Sequence, residues 1–191
     1  LYMGTRGQGL YYSYDNGDTW ASTAVMAGKY IYGLSVDPRD KCVIYVSDGQ
    51  HIYKTTDCQR TWNLLFSEER TTQRFVALAV DTSDSKIIYG AQLGGDIFRS
   101  KDGGQSWRII KRFGFELRHL TADPLNPRRL YAAAYNRGLY RSDDGGDNWV
   151  SVSAGFENFN DSLTFNRFVL NPSQKDSVFW ISKYGILRSN D

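Results

Sequence analysis

The chain has 191 residues, and its 23 Lys+Arg against 21 Asp+Glu leave a net charge of +2. That balance is too small to argue for nucleic acid or an anionic membrane as partner, and 41% hydrophobic with 15% aromatic residues excludes a disordered chain. No run of about 18 apolar residues is present to span a bilayer, and 18 Gly, 13 Tyr and 5 Trp against 4 Pro favour an all-β protein.

In chain order, short apolar runs bounded by Gly, Asp, Asn and Pro follow one another without a sustained 3.6-residue period, so strands and no long helix are expected. Strands are predicted near 1–4 and 9–13. The octet Ser13-Tyr-Asp15-Asn-Gly17-Asp-Thr19-Trp20 follows, its Trp opening a strand near 19–24. Strands near 30–36, 43–47 and 51–55 lead into a second octet, Thr55-Thr-Asp57-Cys-Gln59-Arg-Thr61-Trp62, and a strand near 61–66. The same order returns near 74–80, 87–91 and 96–100, with Ser100-Lys-Asp102-Gly-Gly104-Gln-Ser106-Trp107 and a strand near 106–111. A fourth round occupies 117–122, 129–134 and 138–142, with Ser142-Asp-Asp144-Gly-Gly146-Asp-Asn148-Trp149 and a strand near 148–152. Strands near 165–170, 177–182 and 185–189 end at a fifth octet begun by Ser189-Asn190-Asp191.

The octet aspartates lie 42, 45, 42 and 47 residues apart, the period of a four-stranded propeller blade. Other columns keep step, among them Tyr2, Tyr45, Tyr89, Tyr131 and Trp180. The reading is an all-β propeller of antiparallel blades, strands a to d running outward, with each octet turning c into d. The blades are 25–66, 67–111 and 112–152, between partial blades 1–24 and 153–191. With Leu at residue 1 and no signal peptide expected in the sequence, the chain is expected to be mature, trimmed or a segment of a ring of six or more blades, the alternative being a five-bladed ring. Within the octet, Asp is expected to accept turn N–H groups and Gly17, Gly104 and Gly146 to supply positive φ. Trp should cover the hairpin, and Gln59, standing where the others have Gly, should strain or reshape its turn.

These octets and their spacing resemble the Asp-box, or BNR repeat, of sialidases, family 74 xyloglucanases, sortilin-like receptors and photosystem II assembly factors. The resemblance covers nearly the whole chain. It rests structurally on Asp15 and Trp20, Asp57 and Trp62, Asp102 and Trp107, Asp144 and Trp149, and Asp191. Wording such as Asp123-Pro-Leu-Asn-Pro-Arg-Arg-Leu-Tyr131 before Gly138-Leu-Tyr-Arg-Ser142 is most similar to the xyloglucanase and assembly-factor branches. It implies a propeller far more strongly than an activity, because catalytic and non-catalytic families share the repeat.

In such a propeller the d–a and b–c loops form the ligand face, opposite the octets. Carboxylates there that could pair as in a glycosidase are Glu68, Glu69, Glu116, Glu157 and Asp161; the competing reading is solvated loop charge. Arg70, Arg74, Arg112, Arg118 and Arg137 are the candidate binding cations. Phe75, Phe113, Phe115, Phe156 and Phe159 keep a glycan site open. No Arg-Ile-Pro element, nucleophile elbow or phosphate loop occurs, and His51 and His119 lack metal-ligand spacing, so neither metal nor cofactor is expected. The Asp143, Asp144 and Asp147 cluster lacks the pattern of a calcium loop. Lys54, Arg99, Arg141 and Arg188 share one place on successive c strands. They form either a basic stripe for an acidic partner or stems packed between blades and paired with turn carboxylates.

Cys42 and Cys58 fall at one end of the hairpin whose turn is near 48–50. A disulfide is geometrically open to them, the alternative being two free thiols; a bridge would mean an oxidising compartment. Asn160-Asp-Ser162 is a glycosylation sequon. Two functions remain: an extracytoplasmic scaffold binding a protein, or a glycoside hydrolase of xyloglucanase or sialidase type.

Overall fold

The computed structural model describes residues 1–153, 167–182 and 185–189. Among these residues there are eighteen strands and one short 3-10 turn at Ala24–Met26. They make five antiparallel sheets in chain order. The first holds β1 (Tyr2–Gly4), β2 (Leu10–Tyr12) and β3 (Ala21–Ser22). The second holds β4 (Gly33–Val36), β5 (Ile44–Ser47), β6 (His51–Thr55) and β7 (Asn63–Ser67). The third holds β8 (Phe75–Val80), β9 (Ile88–Gln92), β10 (Asp96–Ser100) and β11 (Arg108–Arg112). The fourth holds β12 (Leu117–Ala122), β13 (Leu130–Ala134), β14 (Gly138–Ser142) and β15 (Val150–Ser151), and the fifth β16 (Phe168–Leu170), β17 (Val178–Ser182) and β18 (Gly185–Ser189). This is a propeller: β4 lies against β8 and β8 against β12, so the first strands of successive blades line the inside.

Burial explains which strand sits where. The second strands Ile44–Ser47, Ile88–Gln92 and Leu130–Ala134 are buried at every residue, because a blade lies on each side of them. The last strands, Asn63–Ser67 and Val150–Ser151, are half or fully exposed at the rim. The cores lie between blades rather than within them. Tyr45 and Ile52 of the second blade pack with Phe75, Leu78, Ile88 and Phe98 of the third, and Tyr89 and Ile97 of the third with Leu117, Leu120 and Leu130 of the fourth. Burying one such side chain contributes about 1.5–3 kcal/mol.

The octets make one turn four times. The Ser or Thr hydroxyl donates to the Asp carboxylate, at 2.7 Å from Ser13 to Asp15 and 2.8 Å from Thr55 to Asp57, and accepts the N–H four residues after itself. The same carboxylates accept the N–H of Thr19, Thr61, Ser106 and Asn148, each at 2.9 Å. Such charge-assisted bonds favour the ionised acid. The Thr61 hydroxyl and N–H hold Asp57 at about 2, and the Asn148 N–H holds Asp144 at about 2; Asp15 and Asp102 are also lowered. The indole N–H of Trp20, Trp107 and Trp149 donates to the carbonyl of Gly17, Gly104 and Gly146.

The second octet keeps this shape instead of changing it. Gln59 adopts φ +75° and Cys58 φ +56°, the left-handed pair that Gly103-Gly104 and Gly145-Gly146 take elsewhere. A disulfide joins Cys58 to Cys42, whose Cα atoms lie 4.1 Å apart. The Trp62 indole nitrogen is buried without a partner.

The cation column on the third strands does not form a free basic stripe. Lys54 donates to the Gly103 carbonyl at 3.2 Å, and Arg99 to the Gly145 carbonyl at 2.8 Å while pairing with Asp147 at 3.0 Å. Each reaches from its own blade into the octet turn of the next. Arg141 pairs with Asp143 at 3.0 Å, and Arg188 donates to Gln174 at 2.8 Å.

Candidate functional site

The two ends of the blades differ. At the octet end, the turn docks on the loop between the first two strands: Gly103 N–H donates to Lys86 O, Gly145 N–H to Arg128 O and Cys58 N–H to Cys42 O. At the opposite end, the b–c and d–a loops are joined by Glu68 N–H to Gln50 O (2.7 Å), Phe75 N–H to Gly49 O (2.7 Å), Phe113 N–H to Gly95 O (3.0 Å) and Leu117 N–H to Leu93 O (3.0 Å). That loop face is the candidate site. Bulges at Phe75/Ala77 and Leu117/His119 bend the inner strands just below it.

Three side-chain groups occupy it. In the first, Lys29 reaches Asp48 at 2.7 Å and Tyr53 at 3.2 Å, and the His51 ring lies 3.1 Å from the same carboxylate. Burial would raise Asp48, but the Lys29 ammonium and the His51 backbone N–H hold it below the usual carboxylate range. In the second, Arg70 grips Glu68 with two bonds of 2.8 Å, and Gln92 donates to Glu68 at 2.5 Å while accepting from Arg70 at 3.2 Å. Chiefly through Arg70, and despite burial, Glu68 is held at about 2. In the third, Glu116 and Arg118 pair at 2.6 Å, and the Arg118 guanidinium lies 4.6 Å over the Tyr135 ring.

The rim between them carries Tyr30 and Tyr32, stacked at 6.2 Å, with Arg74 5.6 Å over Tyr32 and donating to its hydroxyl at 3.4 Å. Tyr30 is 52% exposed, and Arg74 is exposed as well, so this pair faces solvent. Tyr32, Arg74 and Glu116 each immediately precede the inner strand of their blade and so form one step around the channel mouth.

Of the expected site residues, Arg70, Arg74, Glu116 and Arg137 lie on this face, Arg137 and Glu69 exposed. Arg112 and Arg118 stand on strands β11 and β12 rather than in loops, Arg112 facing Asp96 at 3.6 Å. Glu157, Asp161, Asp191, Phe156, Phe159 and the sequon lie outside the described residues. The phenylalanines are not an exposed platform. Phe75 is fully buried, and Phe113 and Phe115 pack on Tyr140, with Phe113 also on Trp149. Sequence reading missed Tyr30, Tyr32 and Tyr135. Their only signal was position, since each lies beside a strand end at the loop face.

The fold and its repeated turns define the class: a BNR-repeat β-propeller. The profile of the Sortilin-Vps10 family (sortilin, neurotensin receptor 3) matches residues 95–190, half of the chain, and the chain belongs to that family. No curated protein matches by sequence. Among solved structures, a GH74 xyloglucanase from Xanthomonas campestris superposes with a TM-score of 0.76 at 22% identity over 100% of this chain and 34% of that one. YCF48 from Cyanidioschyzon merolae superposes with a TM-score of 0.67 at 18% identity, covering 98% of this chain and 64% of that one. YCF48 bound to D1 peptide gives a TM-score of 0.61 at 18% identity over 80% of this chain and 48% of that one. These likenesses establish the fold. The chain spans about a third of the length of the GH74 enzymes it matches.

Proposed function

We propose that the chain is a non-catalytic binding propeller that receives an extended, acidic protein segment on its loop face. The observation that carries this is the state of Glu68. Both Glu68 oxygens are taken up by Arg70 and Gln92, so neither is free as a nucleophile or base, and held at about 2 Glu68 cannot keep the proton that a glycosidase general acid needs. Glu116 is likewise tied to Arg118, and Asp48 to Lys29. Arg74 instead lies over the Tyr32 ring, an arrangement that offers a carboxylate a charged donor and a peptide backbone a flat apolar wall. That a propeller of this fold, YCF48, has been seen with a bound peptide supports the same reading. The Cys42–Cys58 bridge supports an extracytoplasmic, oxidising location.

The test is a fluorescence titration of the full chain with acidic and basic peptides, beside a panel of xyloglucan and sialosides. Acidic peptides should bind, and Arg74→Ala should weaken them at least about tenfold. Glycan turnover abolished by Glu68→Gln, Glu69→Gln or Glu116→Gln would replace this reading with the hydrolase.

A further inference from the structure

The junctions between blades are not built alike, and the difference falls on the cystine. Lys54 ties the second blade to the octet turn of the third, and Arg99 ties the third to the turn of the fourth. Both turns carry a Gly-Gly pair that takes the left-handed conformation without strain. At the junction of the first and second blades, the corresponding place on β2 is Tyr12, which has no charge to donate. The second octet turn, beside which the Tyr2 hydroxyl of the first blade donates to the Lys41 carbonyl at 3.5 Å, has Cys58 and Gln59 at φ +56° and +75°, conformations that cost an L side chain about 1 kcal/mol or more each. Its tryptophan, Trp62, makes no indole bond but packs in the core between the first two blades, with Leu10, Met26, Ile31, Ile44 and Val46.

What this turn has instead is a covalent bond. The N–H of Cys58 donates to the carbonyl of Cys42 at 3.3 Å, the bond that Gly103 makes to Lys86 and Gly145 to Arg128 in the other blades. The disulfide links the same two residues. We propose that the Cys42–Cys58 disulfide is a redox-sensitive clamp on the octet turn of the second blade, standing where the third and fourth blades have a glycine pair, and that through this turn it keeps Trp62 in the seam between the first and second blades. Both cysteines are only half-buried, so a dithiol can reach them. Its thiolate attacks one cystine sulfur, the S–S bond breaks, and the other cysteine leaves as a thiolate that takes a proton. The second thiol of the reductant then resolves the mixed disulfide. Two electrons pass to the protein, which gains two thiols, and the reductant becomes a disulfide. Released from the bridge, the strained turn relaxes, and Trp62 leaves the seam.

Hydrogen exchange of the full chain, with and without dithiothreitol, tests this. Reduction should raise exchange on the order of 100-fold in residues 55–62 and in the facing strands of 1–13, and leave 96–107 and 138–149 unchanged. A Cys58→Gly/Gln59→Gly variant, which restores the glycine pair, should keep the protection of the oxidised protein and ignore the reductant. No change on reduction, a rise spread evenly over all blades, or a rise confined to residues 57–59 would overturn the proposal. So would a glycine variant that exchanges like the reduced protein.

Discussion

The octet end and the loop end of the same blades are built on opposite terms. At the octet end, backbone and side chains repeat together: hydroxyl, carboxylate, left-handed pair and tryptophan recur with nearly the same bond lengths in four blades. At the loop end only the backbone repeats. Phe75 and Leu117 donate to equivalent carbonyls, yet the residues just before them are Arg74 and Glu116, and the place belongs to Tyr32 in the second blade. A side chain that keeps step with the blade period serves the blade. A place where the backbone keeps step and the side chain does not is available for recognition.

Substitutions and pH can break that division, and the largest effect belongs to the cores both ends share. Leu130→Ala, at a fully buried site on β13, should lose about 2–5 kcal/mol in urea unfolding. A loss below about 1 kcal/mol would mean the core between the third and fourth blades is loosely formed.

His119 lies on β12 near the loop end, edge-on to Phe168 at 4.8 Å. Burial, with Arg167 nearby, lowers its pKa to about 4. The unfolded chain, with an ordinary pKa of about 6.5, therefore takes the proton first. Stability is full above about pH 6.5, falls as pH drops toward about 4, and should decline by up to about 3 kcal/mol over that window. His119→Phe should flatten that part of the stability–pH curve; an unchanged curve would remove His119 as its cause.

Ser100→Ala removes the buried hydroxyl bridging Asp102 and the Gly104 N–H, and about 1–3 kcal/mol should be lost by thermal or urea unfolding. The smallest effect on stability belongs to the loop face. Arg74→Ala should stay within about 0.5 kcal/mol of the parent in the same unfolding assay while weakening acidic peptides. A larger loss would make the rim structural and erase the contrast between the two ends.

The propeller was legible because its signal is redundant: four octets, a shared period and a tyrosine column all demand the same blade. Strand edges were less so. β4 begins at Gly33 rather than near residue 30, because Arg6 bridges to Tyr30 and the stacked tyrosines belong to the rim. The cation column showed position but not reach, and only the distance from Lys54 to the next blade separates a latch from a stripe. Phe113 and Phe115 looked available because a loop position says nothing about the neighbouring ring, here Tyr140, that covers it. Arg74 was visible as a cation, whereas its partner Tyr32 was one of 13 tyrosines with nothing to single it out.

The latches also have a direction. Lys54 and Arg99 each precede by some fifty residues the turn they hold, so each donor is synthesised before its acceptor. The octets of the third and fourth blades would therefore close against a blade already carrying a waiting cation, and these blades would dock in the order of their synthesis. The octet turn of the second blade instead finds its fastening within its own blade, where Cys42 is in place before Cys58 is made.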